Sequence, residues 1–100
     1  MTEEKTVVAV DFDGTVVTHD YPRVGDDAPY AANALRWLLA ASPSVRYVLW
    51  TMRSGNALDD AVAWYARQQI PLFGVNVNPE QHELTQSPKA YAHVYIDDAA

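Results

Sequence analysis

The sequence contains no cysteine. That excludes disulfides and thiolate metal sites, so any metal must be held by oxygen or imidazole. Basic residues are scarce: seven Lys and Arg stand against thirteen Asp and Glu, for a formal net charge of −6. Tight binding of a polynucleotide draws on clustered Lys and Arg, and these seven are scattered along the chain. A nucleic-acid partner is therefore not expected, although a single nucleotide is not excluded. No apolar stretch approaches the ~20 residues of a membrane-spanning helix. The start, Met1-Thr2-Glu3-Glu4-Lys5, lacks the apolar centre of a secretory signal. Repeats, low-complexity tracts and linkers are missing as well. We expect a soluble, cytoplasmic protein without a membrane partner.

What is present is enough for a core. The 100 residues make one domain's worth of chain, and 49% of them are hydrophobic. A chain of this length buries roughly 60–70% of its unfolded surface. We expect a single domain over residues 1–100.

Strand and helix patterns alternate. Thr6 to Val10 is a continuous run of mostly β-branched residues, suited to a strand covered on both faces. Residues 28–41 read as a helix with Asp27 as its cap and Pro29 in its first turn. Ala31, Ala34, Leu35 and Leu38 recur on one side of it, and Ser42-Pro43 stops it. Val45 to Trp50 is a second strand. A second helix is expected over 56–69, capped by Asn56, with Asp59 and Asp60 in its first turn, where carboxylates suit the dipole. Its buried stripe is Leu58, Ala61, Val62 and Tyr65, and Ile70-Pro71 ends it. Leu72 to Val75 and His93 to Ile96 complete four strands. This order predicts an α/β fold: a parallel sheet inside a three-layer α/β/α sandwich with right-handed crossovers. In such sheets ligands collect at the carboxyl ends of the strands.

The polar clusters obey that rule. Asp11-Phe12-Asp13-Gly14-Thr15 follows the first strand directly. An apolar strand that ends in two carboxylates calls for a counter-charge, which a divalent cation would supply. Gly14 permits a sharp exit, and the Thr15 hydroxyl can hold the turn. Thr51, in Thr51-Met52-Arg53-Ser54-Gly55, ends the second strand, and Asp97-Asp98 ends the fourth. All three clusters should meet at one edge of the sheet. Two connections, 14–26 and about 76–87, are longer than joining strands to helices requires, which favours a functional use. His19, His82 and His93 are not spaced as a metal cluster. His93 reads as structural, whereas His19 lies where it could reach a ligand. Trp37, Trp50 and Trp64 read as packing residues.

These residues resemble the four motifs of the haloacid dehalogenase superfamily, in order and over almost the whole chain: Asp11–Thr15, then Thr51, then Lys89 ahead of the last strand, then Asp97-Asp98. The nearest likeness is to small members without a cap domain. Neither the gap after motif I nor that after motif II has room for a cap, and the chain stops soon after motif IV, where members usually continue, so it would be either a minimal version or one without the C-terminal elements. The resemblance implies a Rossmann-like sheet and a Mg²⁺-dependent phosphatase. Asp11 would be the nucleophile and Asp13 the general acid and base. Mg²⁺ would be held by the Asp11 carboxylate, the Asp13 carbonyl and a carboxylate of motif IV, Asp97 ahead of Asp98. Thr51 and Lys89 would bind the phosphate, with Arg53 a further substrate contact. The partner would be a small phosphorylated substrate, its selection left to the two loops or to a second subunit in a homo-oligomer.

Two other classes compete. A response-receiver domain also gathers acids, Thr and Lys around Mg²⁺, but its lysine follows the last strand. A catalytically idle phosphatase fold used for binding or regulation is the stronger alternative; the presence of both Asp11 and Asp13 argues against it, and turnover of an aryl phosphate with Mg²⁺, compared with Asp11→Asn, would discriminate the two.

Overall fold

The computed structural model describes residues 5–80 and 92–97. Its elements follow the expected alternation. Strand β1 is Thr6–Val10, helix α1 Ala31–Ala41, strand β2 Val45–Leu49, helix α2 Gly55–Arg67, strand β3 Gly74–Val75 and strand β4 Val94–Ile96. The sheet has the order β3-β2-β1-β4, and each neighbouring pair is parallel. The protein is thus a small α/β fold with an all-parallel sheet, compatible with a Rossmann-like arrangement.

Alternation along the strands sorts the core into two clusters. Val8 and Val10 of β1 join Val45, Tyr47 and Leu49 of β2, with Leu35 of α1 and Ala61, Trp64 and Tyr65 of α2. Val7, Ala9 and Val48 point the other way and pack with Ala92, Trp50, Phe73 and Tyr95. Both described helices therefore cover the same face. That follows from topology, because β1, β2 and β3 step in one direction, and right-handed crossovers then place both helices on one side. The second helical layer that a three-layer sandwich requires is not among the described helices.

The helix starts differ from the sequence reading. Helix α1 begins at Ala31 rather than at residue 28, behind Tyr30, whose φ of 66° is left-handed and which offers no side-chain cap. Asp27 does not cap it, because its carboxylate accepts the Trp64 indole N–H at 2.8 Å. Helix α2 begins at Gly55, with Ser54 rather than Asn56 in the cap position, so Asp59 and Asp60 fall beyond the first turn. Strands β2, β3 and β4 are each shorter than expected, although Trp50 N–H still donates to the Val10 carbonyl. Trp50 and Trp64 pack as expected, Trp50 edge-on to Tyr95 at 5.2 Å between centroids. Trp37 does not pack, since it is 70% exposed. His93 is structural: its Nδ1 accepts the Val7 N–H, and its own N–H donates to the Val7 carbonyl.

Candidate active site at the carboxyl ends of the strands

The strand order reverses at β1. Chain leaving β1 runs to β2 on one side, and β4 returns to its other side. Such a switch point opens a crevice beyond the carboxyl ends of the two strands. Asp11 follows β1 and Asp97 follows β4. The register Val10↔Ile96 makes them next in line, and Asp11 N–H donates to the Ile96 carbonyl at 2.8 Å. Parallel neighbours sit roughly 4.8 Å apart, so the two residues are adjacent.

The turn after β1 is built by its backbone. Phe12 is fully buried, edge-on to Trp64 at 5.8 Å between centroids. Its N–H donates to Asp11 Oδ1 at 2.8 Å, which fixes the carboxylate. The Phe12 carbonyl accepts the N–H groups of Thr15 and Val16, both at 3.1 Å, and Gly14, with φ 81°, donates to the Val17 carbonyl. The Thr15 hydroxyl does not hold the turn as expected. It is buried without a hydrogen-bond partner among the described residues, and the Thr15 amide takes that part.

A cavity of about 490 Å³ lies at this edge, lined by Asp11, Asp13, His19, Tyr21, Thr51, Met52 and Arg53. Asp11, Asp13, Thr51 and Arg53 are therefore brought together. Thr51 is held from two sides: its N–H donates to Asn76 Oδ1 at 2.7 Å, and its hydroxyl oxygen accepts the Arg53 N–H at 3.1 Å. The hydroxyl proton remains available to donate. Asp97 is not among the lining residues but is next to Asp11 by register. Lys89, Asp98 and His82 lie outside the described residues.

Arg53 departs from its expected use as a substrate contact. Its side chain is only 1% exposed. Nε and Nη2 donate to the two Asp13 carboxylate oxygens at 2.8 and 2.7 Å. Nη1 donates to the carbonyls of Pro22 and Ala57, and Nη2 also to that of Arg23. All five N–H donors are in use, and none is left for a ligand. The hydrogen bonds to Asp13 hold the guanidinium above its already high ordinary pKa, against the opposing effect of burial.

Among the described residues, no three His, Asp or Glu side chains converge on a point that could hold a metal. The Asp13 carboxylate is turned to Arg53 instead. Two adjacent carboxylates and a backbone carbonyl still fit a cation that keeps several waters, as Mg²⁺ does, and do not fit one that needs a complete protein cage.

No model of a protein family matches the sequence, and no curated protein matches it. A solved structure does: a conserved protein coded by a locus of Bacteroides thetaiotaomicron is 37% identical, with a TM-score of 0.83, over 97% of this chain and 78% of that one. The chain belongs to the same family as that protein.

Sequence reasoning missed Tyr21, Met52 and Asn76. Asn76 left a signal, an Asn just past a strand, where its left-handed φ of 58° is tolerated. Met52 follows Thr51 directly and had no polar chemistry to mark it. Tyr21 reaches the cavity through the fold of the 14–26 loop, which carries no periodicity to read.

Proposed function

We propose that the protein is a Mg²⁺-dependent phosphohydrolase of the haloacid dehalogenase type, without a cap domain, acting on a small phosphomonoester. The observation that carries this reading is the placing of Asp11, Asp13 and Thr51 around one cavity beyond β1 and β2, with Asp97 beside Asp11 at the switch point. The three-layer sandwich, the single domain and the roles of Lys89 and Asp98 belong to the same proposal.

In this reading an Asp11 carboxylate oxygen attacks phosphorus, and the bond from phosphorus to the ester oxygen breaks. Asp13 gives the leaving oxygen a proton, so the alcohol departs neutral. Water then attacks the aspartyl phosphate while Asp13 takes its proton back, which releases phosphate and restores Asp11. Thr51 donates its hydroxyl proton to a phosphate oxygen, and Lys89 offsets the charge that gathers there. Asp11, the Asp13 carbonyl, Asp97 and Asp98 are the groups that would hold Mg²⁺; bound there, it would lower the cost of bringing a phosphate dianion against Asp11.

One observation favours the idle fold. Both Asp13 oxygens already accept hydrogen bonds from Arg53, so a proton on Asp13 must share that carboxylate with the guanidinium. Turnover separates the readings. With an aryl phosphate and Mg²⁺ we expect hydrolysis that EDTA abolishes and Mg²⁺ restores, and that Asp11→Asn lowers by roughly 10³-fold or more. A folded protein that turns over no phosphomonoester with Mg²⁺ leaves the binding role. Full activity in EDTA removes the metal from the reading.

A further inference from the structure

The 18–26 stretch supplies His19 and Tyr21 to the lining of the cavity, and its apolar anchor on the core is the partly buried Val24. Residues 18–23 are all exposed, and Tyr21 is 64% exposed. A segment with so few buried contacts opens at low cost unless polar bonds hold it. One bond pair closes its base: Thr18 N–H donates to the Asp26 carbonyl at 2.8 Å, and Asp26 N–H to Thr18 Oγ1 at 3.0 Å. The tip is held by a different group. Arg53 reaches it from the β2–α2 turn, donating to the carbonyls of Pro22 at 3.1 Å and Arg23 at 2.7 Å. The face of its guanidinium lies 5.2 Å from the Tyr21 ring centroid, with Phe12 at 5.0 Å. The same guanidinium holds both oxygens of Asp13.

We propose that Arg53 is a positioning residue, one rigid group that couples the placement of the 18–26 loop to the orientation of the Asp13 carboxylate. The geometry suits arginine alone. A planar fork with five donors meets two carboxylate oxygens and three carbonyls at once, and a lysine ammonium has three donors on one atom. When the loop tip moves, two of the five bonds break, and the fork is free to turn away from Asp13. When Asp13 moves, the three carbonyl bonds remain. Either loss leaves three of the five bonds, and a coupling carried by one shared group acts in both directions. Its consequence for catalysis rests on the phosphohydrolase reading, because only there does Asp13 handle a proton. The tether itself does not depend on that reading.

The test uses the full chain with Arg53→Ala, Arg53→Lys and Asp13→Asn, and reads amide hydrogen exchange together with kcat and KM on an aryl phosphate. Exchange at Thr18 and Asp26 should quicken about tenfold or more in both Arg53 variants, with β1 and β2 amides unchanged. Their kcat should fall roughly 100-fold while KM stays within about threefold, since no bond to substrate is lost. Asp13→Asn should lose kcat but keep loop exchange within about threefold of wild type, because the three carbonyl bonds survive. Unchanged loop exchange in Arg53→Ala overturns the tether. Wild-type exchange and kcat in Arg53→Lys reduces the role to charge and overturns it too. Should Arg53→Ala not fold, the Lys variant, which keeps the stem and the charge, decides by the same loop amides. If wild-type protein turns over no phosphomonoester, the function falls and the exchange result still settles the tether.

Discussion

Two aromatic residues of the core differ in a way that single substitutions reveal. The Tyr47 hydroxyl donates to the Leu35 carbonyl at 2.8 Å and so ties β2 to α1. The Tyr65 hydroxyl is buried with no partner among the described residues. Removing a satisfied hydroxyl strands its partner, whereas removing an orphan relieves a desolvation cost. Tyr47→Phe should therefore lose about 1 kcal/mol in urea unfolding, and Tyr65→Phe should be neutral or stabilising; a loss at Tyr65 as large as that at Tyr47 would reveal a partner. Phe12 matters more than either. It stands between Asp11 and Asp13, and its buried ring against Trp64 and Tyr65 pins the backbone on which both carboxylates ride. Phe12→Ala should cost about 3–5 kcal/mol by the same measurement. The pairing of acids around Phe12 was legible in the sequence. The capture of Asp13 by Arg53 was not, because forty residues separate them and no local pattern links a strand-end arginine to another strand's turn.

The 13–27 connection is the element that the sequence left least defined, and the fold makes it a wall of the cavity. Val16 and Val17 are buried in the core, and Val17 bridges both Asp13 and Asp27. The Trp64 indole holds the exit at Asp27. Gly25 is required at the close approach of the two arms, since a Cβ there would lie 2.1 Å from the Thr18 carbonyl oxygen. Backbone must move to accept it. Gly25→Ala should destabilise by about 1–3 kcal/mol, seen as a lower melting temperature. A melting temperature equal to wild type would mean that the arms separate freely. The helix starts show the same lesson. Asp27 was a sound cap by local rules, but the Trp64 N–H, thirty-seven residues away, is a buried donor that must be satisfied. Tertiary demand overrode the local preference, and α1 begins late.

At the scale of the molecule, the buried tyrosines set a limit on alkaline stability. Burial pushes the Tyr47 pKa from 10.0 up to about 12, and burial, with Asp11 nearby, pushes that of Tyr65 up as well. In the unfolded chain both ionise near 10. Between that value and the folded pKa the unfolded state binds fewer protons, so stability falls as pH rises. The contribution is complete below pH 10 and is lost as pH climbs through about 12 for Tyr47. Thermal melts from pH 8 to 11.5 should stay level at first and then drop, with a shallower drop in Tyr65→Phe. A flat profile across that range would contradict burial of the two phenols. No described helix is long and apolar enough to cross a membrane.

Composition and order decided a good deal without coordinates. The β-branched runs and the apolar stripes on the helices could be satisfied only by burial between layers, which implied parallel strands joined by helices, and strand ends were where the carboxylates stood. That much is local chemistry repeated along the chain. Which face each helix covers, which donor claims Asp27 and which cation grips Asp13 were settled only when distant segments met. Those outcomes depend on satisfying buried polar groups across space, and no window of neighbouring residues contains both partners.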